Sequence, residues 1–170
     1  MALTYTVIAD TLVGSGGANS ILFDNIPQTY TDLVILSSCR GSQTGQANDG
    51  NIRLNGATTN RGGTFWETNS VDKYGGSGST IKLIDVGNGA SSNLFSSIYI
   101  IIPNYALTDR FKNVLTENVT ENFSNNNSWQ MFQSGLWSST SAVTSVTLIP
   151  DSGTYLQHSR ATLYGIKNTV

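Results

Sequence analysis

Short β-type segments separated by turn sequences run along this whole chain, and no other feature constrains its fold as strongly. The segments are rich in β-branched and aromatic residues, while Gly, Asn, Asp and Pro mark the connections between them. Residues 134–166 show the pattern most clearly, because they predict three successive strands with turns between them and almost no charge. No segment keeps a helical period, so the sequence predicts an all-β protein.

The spacing of these segments predicts a β-sandwich. The predicted strands cover residues 4–9, 20–23, 33–40, 51–55, 81–86, 94–102, 111–120, 128–137, 143–149 and 160–166. The stretches 41–50 and 56–78 hold much of the Gly, Asn and Thr and are predicted as long loops. About 8–10 short strands favour an antiparallel two-sheet sandwich, with a jelly roll as the first choice. The length fits one domain over residues 1–170, in which 1–11 form an N-terminal arm or an edge strand.

Composition excludes several classes of partner. Charged residues make up 12% of the chain, about half the usual share of about 25%, and the formal net charge is -2. Such a chain offers no broad attraction to nucleic acid or to an anionic membrane surface. The longest apolar run, residues 98–103, is far too short to span a bilayer.

The N-terminus and the cysteine content bear on where the chain is made. The first residues lack a basic start and a long apolar run, so no signal peptide is predicted and synthesis in a host cytoplasm is expected. Cys39 is the only cysteine, which rules out an intrachain disulfide. We expect its thiol to be buried as a small apolar group.

Two predicted strands are apolar on both faces. Residues 33–36 and 98–102 offer no polar side to solvent, although the outer face of an antiparallel sandwich is normally wet. Either loops or another subunit must cover them, and cover by a subunit would make the protein an oligomer or part of a larger shell. The N-terminal segment and these strands supply the candidate assembly contacts, which are Leu3, Tyr5, Tyr99 and Ile101.

The residues needed for catalysis or metal binding do not come together in the sequence. His158 is the only histidine, and it cannot form a catalytic triad with Ser159 because successive strand side chains point to opposite faces. No His and Cys cluster has zinc spacing, and residues 48–51 lack the alternating oxygen ligands of a calcium loop. Glu117 and Glu121 share a strand face but lie roughly 13 Å apart, too far for a glycosidase pair. The sequence therefore predicts a non-enzymatic protein without metal or cofactor.

Aromatic side chains are the stronger functional candidates. Trp66 is predicted in the exposed 56–78 loop, where its ring could stack on a sugar. Trp129 and Trp137 lie in or beside predicted strands and are expected in the core, as is Leu163. The candidate glycan or partner contacts are Trp66, Glu67, Asn69 and Tyr74.

Short motifs from residue 20 onward carry a resemblance to a known family. Residues 20–34, SILFDNIPQTYTDLV, match a short strand followed by IPxTYxxL, and NIRLNG at 51–56 is similar to an RFNGD strand and turn. Residues 134–137 and 142–146 are similar to GLWxxTxAITSI, and 163–166 match a closing LYGI. In this order and spacing the motifs resemble small structural proteins of tailed bacteriophages, many of them from cyanobacterial and marine viruses.

Each matching motif has a packing reason and none is a catalytic signature. Pro27 and Tyr30 are expected to set a corner, residues 55–56 a tight Asn-Gly turn, and Gly165 a place where no side chain fits. The chain departs from the family at the NGD turn, where Ala57 stands in place of Asp, and its 56–78 segment is its own.

The resemblance implies a virion component. The first expectation is a capsid decoration or cement protein, which covers junctions between capsomers and stabilises the head through buried area. Its partners would then be the major capsid protein or other virion proteins, its location the virion, and its assembly a homotrimer. The alternative is a tail or head-fibre receptor-binding module that recognises host-surface glycan through Trp66 and the 56–78 loop.

Overall fold

The described residues form an all-β protein without helices. The computed structural model describes residues 4–69, 73–121 and 128–167. These residues form twelve strands: β1 Thr4–Leu12, β2 Ile21–Phe23, β3 Asp32–Ser38, β4 Ala47–Leu54, β5 Arg61–Asn69, β6 Lys73–Gly78, β7 Ile81–Val86, β8 Ser97–Pro103, β9 Lys112–Thr120, β10 Trp129–Trp137, β11 Val146–Pro150 and β12 Arg160–Lys167. No helix among them is long and apolar enough to cross a membrane.

The strands build two antiparallel sheets that pack face to face, as the sequence predicts. The large sheet has eight strands in the order β1-β12-β3-β8-β9-β10-β5-β6, and the small sheet has four in the order β2-β11-β4-β7. Eight of these strands pair in nested fashion, β1 with β12, β2 with β11, β3 with β8 and β4 with β7. This nesting is the jelly-roll arrangement, in which one long antiparallel ribbon rolls into two sheets.

Two hairpin-like insertions extend the jelly roll on one side. β5 and β6 lie between β4 and β7 in the chain, and β9 and β10 lie between β8 and β11. In space the four strands join the edge of the large sheet at β8, so that β9-β10-β5-β6 continue it beyond the small sheet. We call these four strands the extension.

The core lies between the two sheets, and the alternation of the strands explains its composition. In β8, Ile98, Ile100 and Ile102 are buried and face the small sheet, while the residues between them face outward. Trp137 and Leu163, which the sequence predicts to be buried, belong to the same cluster. Its fully buried aliphatic members also include Leu33, Ile35, Ile52, Leu54, Ile81, Leu83, Val146 and Leu148.

The extension seals the open edge of the small sheet. β7 is the last strand of that sheet, so its outward backbone groups have no strand partner. The Gln133 side-chain oxygen accepts from the Lys82 backbone N–H at 2.6 Å, and the Asn118 oxygen accepts from the Ile84 N–H at 3.0 Å. Polar side chains buried inside the extension therefore replace the missing strand.

The motifs that carry the family resemblance contact one another. A Cβ placed on Gly165 would lie 2.4 Å from the Tyr30 ring, so the ring occupies the space of the absent side chain. Asn55 and Gly56 both have positive φ angles, 49° and 68°, and form the tight turn that the sequence predicts. The Asn55 side-chain oxygen also accepts from the backbone N–H groups of Thr144 and Ser145.

Four sequence-based expectations need correction or completion. The prediction of a loop over residues 56–78 is wrong, because most of this segment forms β5 and β6, which pair with each other. The prediction of a loop over residues 41–50 is wrong for its last four residues, because β4 begins at Ala47. With the two additional strands the total is twelve rather than about 8–10. Of the two alternatives for the N-terminus, Thr4–Leu12 forms the edge strand of the large sheet.

Candidate functional site

Two rows of side chains cross the outer face of the large sheet, the face turned away from the small sheet. Strand pairing aligns one position from each of the eight strands in each row. The Leu36 row consists of Asp10, Thr162, Leu36, Tyr99, Glu117, Phe132, Trp66 and Gly75. The Val34 row consists of Val7, Tyr164, Val34, Ile101, Leu115, Ser134, Thr64 and Ser77.

This outer face exposes several large apolar side chains among smaller polar ones. Its exposed large side chains are Tyr5 at 48%, Val7 at 58%, Leu36 at 45%, Trp66 at 50%, Val119 at 41%, Phe132 at 48% and Leu136 at 41% of their accessible surface. Single exposed apolar residues are ordinary on a soluble protein. A contiguous apolar surface of more than a few hundred Å² marks an interaction site. Val119, Phe132 and Trp66 lie on the adjacent strands β9, β10 and β5 and form one exposed apolar patch. Tyr5 and Val7 lie at the β1 edge, and Leu36 lies on β3 between these two groups.

The face carries few charges among its described side chains. Asp10 and Arg160 pair at the β1 edge with 2.8 Å between carboxylate and guanidinium. Hydrogen bonds from Arg160 and then from Thr162 lower the pKa of Asp10. Glu117 stands near the middle of the Leu36 row, beside Tyr99. Burial, followed by hydrogen bonding with the Tyr5 phenol, raises the pKa of Tyr99. The face is therefore neutral over most of its width.

Three of the four predicted assembly residues lie together on this face. Tyr5 packs edge-on against Tyr164 with 6.0 Å between ring centroids, and Tyr99 and Ile101 lie in the two rows. Leu3 lies outside the described residues. The two strands predicted to be apolar on both sides, β3 and β8, are neighbours near the middle of the eight-stranded sheet. Leu36 remains 45% exposed, so no described loop covers its side chain.

The four predicted glycan contacts do not form one site. Trp66 lies on the outer face, whereas Glu67, the next residue of β5, lies on the inner face and is 2% exposed. The Glu67 carboxylate pairs there with Lys82 at 3.3 Å. Asn69 and Tyr74 are strand positions in β5 and β6, and their side chains lie outside the described part of the structure. Successive side chains of a strand point to opposite faces of the sheet. Trp66 and Glu67 therefore cannot contact the same ligand, as they could have done in a loop.

A separate polar cleft lies where the extension meets the small sheet. It has a volume of about 490 Å³, and the side chains that line it include those of Gln43, Asp49, Lys82, Trp129 and Asp151. Lys82 bridges Asp49 at 3.4 Å and lies 5.3 Å from the Phe65 ring centroid. Trp129, expected in the core, is instead half-buried at this cleft. The cleft combines one indole with carboxylates and an amide, the groups that hold sugars in proteins.

Two buried titratable groups, Asp85 and Cys39, lie inside the sandwich, away from both surfaces. Burial raises the pKa of Asp85 to about 7, against hydrogen bonds from Ser96 and Tyr155 that lower it. Burial, and then the charge of Asp85, raises the pKa of the Cys39 thiol, which is 1% exposed as the sequence predicts. His158 lies exposed in a turn. Within residues 4–69, 73–121 and 128–167, no three His, Cys, Asp or Glu side chains are grouped to hold a metal ion.

The sequence-based reasoning missed several members of the outer face. Leu36, Phe132, Val119 and Leu136 were not among the candidate contacts, although each is more than two-fifths exposed. The signal was present in β10, where Phe132 and Leu136 occupy one parity while Met131 and Trp137 occupy the other. Apolar residues on both parities of a strand indicate two contact faces. Comparisons with known proteins find no matching family model, no similar curated protein and no similar solved structure.

Proposed function

We propose that this chain is a non-enzymatic structural subunit of a bacteriophage virion and that it decorates and stabilises the capsid. The observation that carries the proposal is the outer face of the large sheet, which exposes large apolar side chains on five of its eight strands and has few charges among its described side chains. Such a surface is typical of a subunit that is buried in an assembly. The sequence motifs that resemble phage structural proteins are the reason for proposing that this assembly is a virion.

The chemistry of this face favours protein as its occupant. A partner must itself be apolar and weakly charged, because a charged surface would lose its hydration against Leu36, Ile101 and Phe132 without gaining ion pairs. The paired charges of Asp10 and Arg160 lie at the β1 edge, as in the polar rim of a protein interface. Stability then comes from area removed from water rather than from chemistry.

Location in the particle tests this function. We expect cryo-EM of the phage that encodes the chain to show copies distributed over the head. A particle assembled with the Leu36→Asp variant should lose this density and release DNA at a lower temperature than the unaltered particle. Density confined to the tail would overturn the decoration role while leaving a virion role intact. Absence of the protein from purified particles would overturn both.

The alternative function is recognition of a host-surface glycan, and the polar cleft favours it. Trp129 supplies a stacking surface, while Gln43, Asp49 and Asp151 supply the surrounding hydrogen-bond partners. This site differs from the one expected around Trp66. A glycan array with purified protein should therefore compare Trp129→Ala with Trp66→Ala. Saturable binding lost only in Trp129→Ala would support the cleft, and binding lost only in Trp66→Ala would return the site to the outer face.

A further inference from the structure

We propose that the occupant of the outer face is a second copy of this chain, paired face to face about a twofold axis that runs along the strands between β8 and β9. This inference rests on the proposed function, since it names the partner of the same surface. Twofold pairs are the commonest closed assemblies of identical chains, and they require one face to be complementary to itself. The two rows of the outer face meet that requirement.

The strand order places the axis at the centre of the sheet. Four strands, β1-β12-β3-β8, lie on one side of the axis, and four, β9-β10-β5-β6, lie on the other. Rotation about the axis sets β8 over β9 of the partner copy, β3 over β10, β12 over β5 and β1 over β6. Each row then meets itself in reverse order, because an axis along the strands preserves position along them.

Large side chains then meet small ones along the Val34 row. Tyr164 faces Thr64 of the partner copy and the exposed Val7 faces Ser77, while Val34 is fully buried in its own chain beneath this contact. At the axis, Ile101 meets Leu115 of the partner copy. Alternation of large and small residues across facing layers is the condition for close packing of two surfaces.

The Leu36 row shows the same matching. Leu36 faces Phe132 of the partner copy, and Trp66 faces Thr162. Beside Leu36 the face is hollowed, in a depression of about 470 Å³ whose lining includes Leu36, Tyr99, Tyr164, Arg160 and three serines. The exposed Phe132 and Trp66 rings of a partner would enter this depression. Because the axis relates the two copies, each ring pair fills the depression of the other copy.

The one carboxylate in the middle of the rows also receives a partner. Tyr99 faces Glu117 of the partner copy, so a phenol of the Tyr5 and Tyr99 pair can donate a hydrogen bond to the carboxylate across the axis. The pairing occurs twice, once on each side of the axis. The Asp10 and Arg160 pair lies at the β1 edge, over Gly75 of the partner copy, where it stays in contact with water.

The area of the face suits a stable pair. Eight strands at about 4.8 Å spacing give a width of roughly 34 Å, and strands of about seven residues give a height of roughly 23 Å. The product is roughly 780 Å² on each copy. Specific protein interfaces bury about 800 Å² on each partner, so one such face is sufficient for a dimer.

Charge exchange between two variants tests the register. We expect sedimentation velocity at ten-micromolar-scale concentration to find the unaltered chain at twice its 18.2 kDa mass. Leu36→Asp and Phe132→Lys should each be monomeric, because each places a charge against an apolar ring or side chain. An equimolar mixture of the two should form heterodimers, since the introduced carboxylate would meet the introduced ammonium at one contact while the other contact stays native.

The controls separate loss of pairing from loss of folding. Leu22→Asp changes a residue of similar exposure, 53%, on the small sheet, and should leave the dimer unchanged. Far-UV circular dichroism and thermal unfolding should show all variants folded. A trimer, an unaltered chain that is monomeric, or a mixture that stays monomeric would overturn the pairing. If the unaltered chain is monomeric and Leu36→Asp still fails to join particles, the virion function stands with another protein as occupant.

Discussion

The interior of the jelly roll and the interior of the extension lie under one continuous sheet, yet they are built from different residues. Between β1-β12-β3-β8 and the small sheet the buried side chains are mostly aliphatic, as at Ile35, Ile100 and Leu163. Under β9-β10-β5-β6 they include Thr116, Asn118, Gln133 and Glu67. The change falls between neighbouring strands, where Ile100 of β8 pairs in register with Thr116 of β9.

The difference teaches what a buried face must match. The jelly-roll strands pack against the apolar face of another sheet, so aliphatic side chains on their inner face are sufficient for close packing. The extension opposes the edge of β7, and the Lys82 and Ile84 N–H groups at that edge need acceptors. An aliphatic interior there would bury unpaired backbone groups.

The largest effect is expected at Asp85, a carboxylate that is buried inside the jelly roll. Its folded pKa of about 7 lies above its ordinary value of 3.8, so between these pH values the unfolded chain releases a proton that the folded chain keeps. Stability should therefore fall as pH rises through this window, by about 4 kcal/mol in all, and stay level above it. Asp85→Asn should lose this slope and exceed the unaltered chain in stability at pH 8. Urea unfolding of both proteins from pH 4 to pH 8 measures the free energy of unfolding and its dependence on pH. The same pH dependence in both proteins would contradict the raised pKa of Asp85.

The next test compares the two interiors directly at the boundary between them. Ile100→Ala removes a fully buried aliphatic side chain and should lower the free energy of unfolding by roughly 2–5 kcal/mol. Thr116→Ala, its register partner, removes a smaller side chain and one hydrogen bond from the Asn118 amide, and should cost about 1 kcal/mol. Urea titration of both variants measures the two losses in the free energy of unfolding. Equal losses would contradict the distinction between the two interiors.

A third test addresses the sealed edge of β7. Asn118→Leu keeps the volume but removes the acceptor of the Ile84 N–H, so it should destabilise the fold by about 1–3 kcal/mol. Hydrogen exchange at the Ile84 amide should accelerate as well. Asn113→Leu, at an exposed position of the same strand, serves as the control and should stay within about 0.5 kcal/mol. Slow exchange at Ile84 in the Asn118 variant would show that the edge is sealed by other groups.

The smallest effect is expected at the polar cleft. Asp49→Asn removes a half-exposed partner of Lys82 and leaves the buried Glu67 pair in place. The free energy of unfolding should change by less than about 1 kcal/mol, and the change should shrink in high salt. A loss of several kcal/mol that persists in salt would mean that Asp49, and not Glu67, is the main partner of Lys82.

Most of the fold was predictable because alternation is strong wherever a strand lies between water and an apolar core. Each of the ten predicted strands is present, and β7 has the predicted bounds Ile81–Val86. β5 and β6 were missed for a physical reason. They are rich in Gly and Thr, and β5 places Phe65 on one face and Trp66 on the other, so no apolar period identifies them.

The candidate site was predictable in part. The doubly apolar strands indicated a second contact face, and Tyr5, Tyr99 and Ile101 lie on it. Trp66 was expected to be exposed, and it is, but as a neighbour of Phe132 in the sheet rather than in a loop beside Glu67. The sequence offered no sign that residues so far apart would align in one row, because register depends on pairing between strands.

By itself the sequence determined the class of fold, the positions of most strands and the tight Asn-Gly turn at residues 55–56. These properties are local, since they depend on the alternation and turn chemistry of neighbouring residues. Only the tertiary structure decided that the insertions extend the large sheet, that Gln133 and Asn118 seal β7, and that the outer side chains form continuous rows. These are long-range pairings, and their energies depend on which edges and faces the folded chain brings together.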